Sequence, residues 1–264
     1  MFGVIGCGTM GGVILEGMLR EKIVPPEGLL IYDKDTGRTE FLRDKWGLKA
    51  TSDAKVVCRE ADRILIAVKP QNMDELIEEI RDFLSEQLII SIVAGMQINS
   101  LLERAGKPLR VVRIMPNTPC LVGEGMSIIS RGKGVSDSEE ELVKNIMGAL
   151  GKVIPLEENL LDAAAGLSGC GPAYCLLVLE ALADGGVEVG LNWETASMLA
   201  VQTMLGTARM VRETKEHPAS LKNKVTSPGG LTSAGLLALE KGAVRSSMIE
   251  AVVEAVKRGN QLGS

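Results

Sequence analysis

Apolar positions along this chain follow two rhythms, and the change falls near Pro155. Before it, short apolar runs alternate with amphipathic stretches. The runs predict strands over 3–6, 29–32, 64–68, 89–93, 111–115 and 126–130, with a last one near Val153. Several are continuously apolar and bounded by turn residues, the pattern of strands covered on both faces. Between them, Met73, Leu76, Ile77, Ile80, Phe83 and Leu84 recur at three- and four-residue spacing and predict an amphipathic helix. Ser136 or Asp137, ahead of Glu139, Glu140 and Glu141, marks another helix start, where acids suit the positive end of the helix dipole. Alternation of this kind predicts an α/β fold with a mainly parallel, doubly wound sheet.

After Pro155 the strand signal almost vanishes. Helical patterns rich in Ala, Leu and Met follow one another, with breaks expected at 169–172, 185–192, 217–218 and 227–230. The stretch 175–182 is apolar nearly all round, which suits a helix buried in a bundle or a subunit interface. A chain of 264 residues has few places to hide such helices, so a homo-oligomer, at least a dimer built on the C-terminal helices, is expected. The domain plan is residues 1–155 for the sheet and 156–264 for an all-helical domain.

Composition narrows the partners. A net charge of −5 with no dominant basic patch argues against nucleic acid. The first strand is expected to begin at Phe2 or Gly3, so no signal or transit peptide is expected. No apolar stretch is expected to reach membrane-spanning length, since Glu180 interrupts the longest candidate. The five cysteines form no CxxC pair and His217 is the single histidine, so no metal site is expected, and reduced thiols point to the cytoplasm.

Two glycine-rich loops carry the candidate chemistry. Gly6-Cys7-Gly8-Thr9-Met10-Gly11 follows the first strand and opens a helix. A second strand ends at Asp33, about twenty residues on, where a carboxylate can hold an adenosine ribose. This is a Rossmann-like dinucleotide site, and the cofactor is NADPH or NADH. Asp33 repels a 2′-phosphate, whereas Lys34 and Arg38 attract one, so the choice stays open at this level. Ala67-Val68-Lys69-Pro70 and Met115-Pro116-Asn117-Thr118-Pro119 lie at carboxyl ends of strands, where open α/β sheets bind ligands. Asn117 and Thr118 offer polar groups to a nicotinamide or its ribose.

The second loop is Val225-Thr226-Ser227-Pro228-Gly229-Gly230-Leu231-Thr232, directly ahead of a helical pattern. A carboxylate can accept hydrogen bonds there from a hydroxyl and from the N–H groups of Gly230, Leu231 and Thr232. The same hydroxyl residues equally serve as helix caps. Spacing alone does not separate the two. His217, ahead of Pro218 at a turn, reads as a cap or surface residue rather than a general acid.

Residues 225–232 resemble the signature of the Δ1-pyrroline-5-carboxylate reductases. The likeness extends to Leu167-Ser168-Gly169-Cys170-Gly171-Pro172-Ala173-Tyr174, to Ala183-Asp184-Gly185-Gly186, to Glu216-His217-Pro218 with Leu221-Lys222, and to the block ending at Pro119. These blocks keep the family's order and spacing from end to end. Cys170 departs from it, standing where the family usually has a small hydroxyl residue. The resemblance implies a Rossmann domain followed by a helical domain that dimerises. It implies hydride addition from NAD(P)H to C5 of 1-pyrroline-5-carboxylate, giving L-proline. It also implies that Ser227, Gly230 and Leu231 hold the substrate carboxylate while Thr232, the residue closest to a catalytic role, hydrogen-bonds the ring nitrogen.

Three alternatives share the fold: a reductase of another cyclic imine, a β-hydroxyacid dehydrogenase, and a non-catalytic nucleotide-binding protein. The dehydrogenases use a lysine early in the C-terminal domain, and no lysine occurs here between Lys152 and Lys215. Retention of both glycine loops with their hydroxyls disfavours the non-catalytic reading.

Overall fold

The computed structural model describes residues 1–263. Its first part runs β1 (Phe2–Ile5), α1 (Thr9–Arg20), β2 (Leu29–Tyr32), α2 (Thr36–Trp46), β3 (Lys49–Ala50), α3 (Ala54–Glu60), β4 (Arg63–Ile66), α4 (Met73–Ile80), β5 (Leu88–Ser91), α5 (Ile98–Ala105), β6 (Arg110–Met115), β7 (Gly125–Arg131), α6 (Asp137–Gly148) and β8 (Gly151–Pro155). Helices follow: α7 (Leu161–Ala164), α8 (Gly171–Glu188), α9 (Trp193–Thr214), α10 (Pro218–Lys224), α11 (Leu231–Lys241) and α12 (Val244–Gly263).

The strands form one eight-stranded sheet in the order β3-β2-β1-β4-β5-β6-β7-β8. The chain starts in the middle, builds outward to β3, then crosses back beyond β1 to β4. Register places Ile5 opposite both Tyr32 and Ile66. Gly6, Asp33 and Ala67 therefore leave the sheet side by side, at the point where strand order reverses and such folds bind their ligands.

Both sheet faces are covered, which is why the strands read as unbroken apolar runs. Val4, Leu65, Ile90 and Val112 pack with Ile14, Leu15 and Met18 of α1 and Val143 and Met147 of α6. Ile5, Ile64, Ile89 and Val111 pack on the other side with Val57, Ile77 and Leu101. Ser136 caps α6 in a reciprocal box with Glu139, settling the start that the sequence left between Ser136 and Asp137.

Three features depart from the sequence pattern. β3 has two exposed residues and no periodicity to betray it. β7 runs antiparallel to β6, because the connection between them is a short 3₁₀ turn, Thr118–Val122, too brief for a parallel crossover. The 64–68 strand ends early, at Ile66, releasing Ala67 and Val68 into the loop.

By contact, the chain divides into Met1–Gly169 with the tail from Val256, and Cys170–Ala255. The expected boundary at 155/156 lies inside the first unit. Arg113, one of the largest fully buried side chains, accounts for this: its Nη1 lies 3.2 Å from Glu158 and its Nη2 3.1 Å from Asp162. Glu158 also accepts the Ile98 N–H at 2.7 Å. These ties, with fully buried Leu161, bind the segment after Pro155 to the sheet.

In the second unit α8 and α9 pack along each other through small residues, Ala183, Ala196 and Ala200. Tyr174 donates from its hydroxyl to the Ala251 carbonyl at 3.2 Å, joining α8 to α12. Large apolar side chains stay open on the single chain, among them Leu176, Leu177, Met198, Leu205 and Ile249. The expected absence of a membrane-length apolar helix needs correction. The helical run Glu158–Glu188 meets that length and composition, with a mean hydropathy of 1.4 in its most apolar window. The break expected at 169–172 is instead a π-helical turn, Ala165–Gly169, that leads almost directly into α8.

Candidate functional site

The first loop is shaped by close backbone approaches. Gly6 has φ +99°, and a side chain there would stand 2.6 Å from the Ala67 carbonyl oxygen. Its N–H donates to Tyr32 O at 2.8 Å. A Cβ at Gly11 would fall 2.0 Å from the Gly6 carbonyl oxygen, so only glycine lets α1 seat against the end of β1. Gly8 is the N-cap of α1, and no side chain caps that helix. The first N–H groups of α1, Thr9 and Met10 among them, thus face an approach suited to an anion. A crevice of about 290 Å³ opens beside them, lined by Gly6, Gly8, Asp33, Arg38, Val68 and Lys69 among others. Its glycine cradle and uncapped helix end fit the pyrophosphate of a dinucleotide.

Asp33 lines that crevice and also holds the loop. Its Oδ2 accepts the Cys7 N–H at 2.6 Å and its Oδ1 accepts the Asp35 N–H at 2.9 Å. The Arg38 guanidinium lies 3.6 Å from Asp33 and 3.3 Å from Asp35. Lys34 is paired with Glu75 at 2.6 Å. Burial, and then the Asp33 charge, push the Cys7 thiol up to about 12, which keeps it protonated and unreactive at neutral pH.

Ala67, Val68 and Lys69 bring the end of β4 to the same crevice, where Lys69 is exposed, and Pro70 follows them outside its lining. Asn117 behaves differently from the sequence expectation. Its Nδ2 donates to the Ser168 carbonyl at 3.0 Å and its Oδ1 accepts the Met126 N–H at 2.8 Å. The carboxamide is engaged at both ends and holds the loop after β6 in place. Ser168, from the 167–174 block, supplies the acceptor, while Arg113, not singled out from the sequence, anchors Glu158 and Asp162. The signal for Arg113 was available: a lone charge inside the apolar run 111–115.

The second loop lies in the other unit. Thr226 donates its hydroxyl back to Lys222 O at 2.7 Å, closing α10. Gly229 has φ +67°, and the Gly230 N–H turns inward to Ser227 O at 3.1 Å, so it is not a free donor. Gly230 itself is the N-cap of α11, and no side chain caps the helix. The capping role open to Ser227 and Thr232 on sequence grounds is therefore not taken. Instead the N–H groups of Leu231, Thr232 and Ser233 lack intrahelical partners. The Ser227 hydroxyl lies over Gly230, 2.3 Å from where a Cβ would stand. Together these make a compact, exposed set of donors for a small anion. His217 caps α10, its Nδ1 accepting the Ala219 N–H at 3.2 Å. Cys170 precedes α8 and is exposed. Among the described residues no cluster of His, Cys, Asp or Glu can hold a metal ion.

A doubly wound sheet with an uncapped glycine loop, joined to a helical unit with open apolar faces, defines a two-domain, NAD(P)-dependent oxidoreductase. The family described as pyrroline-5-carboxylate reductase dimerisation matches residues 158–262, and the one described as NADP oxidoreductase, coenzyme F420-dependent, matches residues 1–95. A pyrroline-5-carboxylate reductase of Synechocystis is 41% identical, over 99% of this chain and 97% of its own. The crystal structure of a Plasmodium falciparum pyrroline carboxylate reductase with NADP bound superposes with a TM-score of 0.90 at 35% identity, covering 100% of this chain and 98% of that one. A Coxiella burnetii pyrroline-5-carboxylate reductase gives 0.92, also at 35% identity, with coverages of 100% and 98%. This chain belongs to the pyrroline-5-carboxylate reductase family.

Proposed function

We propose that this protein reduces 1-pyrroline-5-carboxylate at C5, with NADPH or NADH supplying the hydride when bound, and so forms L-proline in the last step of proline biosynthesis. The observation that carries the reading is the open N-terminus of α11 beneath the Ser227 hydroxyl. An uncapped helix end attracts a carboxylate, and this substrate has one beside the carbon to be reduced. Ser227 and the Leu231 N–H hold the carboxylate, and Gly230 keeps the approach clear. Thr232 orients the ring nitrogen through its hydroxyl.

The substrate reacts as the protonated imine, so hydride addition gives the neutral amine, which then takes a proton from water. Such a reaction needs positioning and charge placement more than a nucleophile or a metal. On the cofactor side, Gly6, Gly8, Thr9, Met10 and Gly11 receive the pyrophosphate, and Asp33 the adenosine ribose. Ala67, Val68, Lys69 and Pro70 form the wall toward the nicotinamide, and Asn117 fixes the loop opposite.

The domain plan is a cofactor domain over 1–155 and a substrate and dimerisation domain over 156–264, a division supported by the two matched families. Dimerisation through α8, α9, α11 and α12 is supported by their exposed leucines, methionines and isoleucine. Five free cysteines support a reducing, cytoplasmic location. The test is product analysis: L-proline should accumulate mole for mole with cofactor oxidised when pyrroline-5-carboxylate is supplied. Absence of proline with both NADH and NADPH would overturn the reading.

A further inference from the structure

We infer that this protein selects NADH over NADPH, and that Asp33 sets the selection. The inference rests on the reductase reading only in taking a nicotinamide dinucleotide as the cofactor. NADPH differs from NADH by a 2′-phosphate on the adenosine ribose, a group with close to two negative charges that needs free donors around it. The donors next to Asp33 are engaged elsewhere. The Cys7 and Asp35 N–H groups both point into the Asp33 carboxylate, at 2.6 and 2.9 Å. Arg38 is shared between Asp33 and Asp35, and Lys34 is paired with Glu75.

Three carboxylates thus surround two cations at the end of β2, and Glu79 and Asp53 add negative charge around neighbouring Tyr32. A phosphate there would meet the Asp33 and Asp35 carboxylates at close range and would have to break existing ion pairs. A ribose with free hydroxyls meets the opposite situation. An ionised carboxylate offers about four lone-pair positions, and the two backbone N–H groups leave room for a hydroxyl donor. Asp33 has little freedom to swing away, since its side chain is only 11% exposed and pinned at both oxygens.

The test is equilibrium binding of NADH and of NADPH, without imine, followed by the fluorescence of the reduced nicotinamide. The wild type is expected to bind NADH at least about tenfold more tightly, the scale of one charge or hydrogen-bond difference. Asp33→Ser should bring the ratio close to one, mainly by tightening NADPH. Asp33→Asn, which keeps the size and an acceptor for the Cys7 N–H, should move it the same way if the serine variant fails to fold. NADPH binding as tight as NADH in the wild type would overturn the inference, and so would a ratio unmoved in the folded variants. A protein that binds both cofactors with the expected ratio yet makes no proline would instead refute the proposed reaction.

Discussion

Asn117 and Ser168 are joined by a hydrogen bond of 3.0 Å from the side-chain amide to the backbone carbonyl, and this bond links the loop after β6 to the π turn ahead of α8. The opposite end of the same carboxamide accepts the Met126 N–H. Asn117→Ala removes both partners and leaves a part-buried carbonyl and N–H unpaired. The expected cost is about 1–3 kcal/mol, which thermal denaturation reads as a fall in Tm. Cofactor affinity should change by less than about threefold, since Asn117 acts on the loop; a variant with wild-type Tm and abolished cofactor binding would refute this role.

The glycines of the first loop should separate by mechanism. Gly6→Ala and Gly11→Ala drive a Cβ into backbone atoms, which cannot swing aside, and each should cost about 3 kcal/mol or more. Gly8→Ala meets only the end of the Arg38 side chain, at 3.3 Å. It should melt close to the wild type while losing about tenfold in cofactor affinity, because the new methyl stands where the pyrophosphate approaches. Melting curves and cofactor titrations on the three variants decide the ranking.

How much of this was legible beforehand varied with the range of the interactions. The strands at 29–32 and 111–115 were readable because burial on both faces writes a continuous apolar run. β3 was not, since Lys49 and Ala50 owe their strand conformation to pairing with Leu30 and Ile31, not to their own pattern. The end of the sequence-read helix at Phe83 and Leu84 also escaped, because a 3₁₀ turn replaces the last helical turn there. At the sites, the residue types were visible but their partners were not. That Asp33 turns back onto Cys7 follows from the register of β1 against β2, and that Asn117 turns inward follows from the antiparallel return of β7. Nor could spacing decide which residue caps α11. That depends on the left-handed Gly229, which passes the cap position to Gly230 and leaves Ser227 free.

Alkaline stability offers a separate check on the core. Burial, and then Glu79 and Asp53, push the Cys58 thiol from an ordinary 9.0 up to about 12. With the folded value raised, the contribution of this thiol is complete below pH 9, declines above it and is gone once pH passes 12. Cys58→Ala loses packing at every pH but also loses this titration. Between pH 9 and 12 the wild type should therefore shed stability faster than the variant, by up to about 1.4 kcal/mol per pH unit. Parallel denaturation midpoints across that range would count against the assignment.

The seat of the imine on the α11 loop is tested most directly by kcat/KM for 1-pyrroline-5-carboxylate in Thr232→Ala, measured beside the dissociation constant of the reduced cofactor. Loss of the orienting hydroxyl should lower kcat/KM by about a hundredfold while the cofactor constant stays within about twofold, and Thr232→Ser should recover most of the rate. Wild-type kcat/KM in Thr232→Ala would contradict the account.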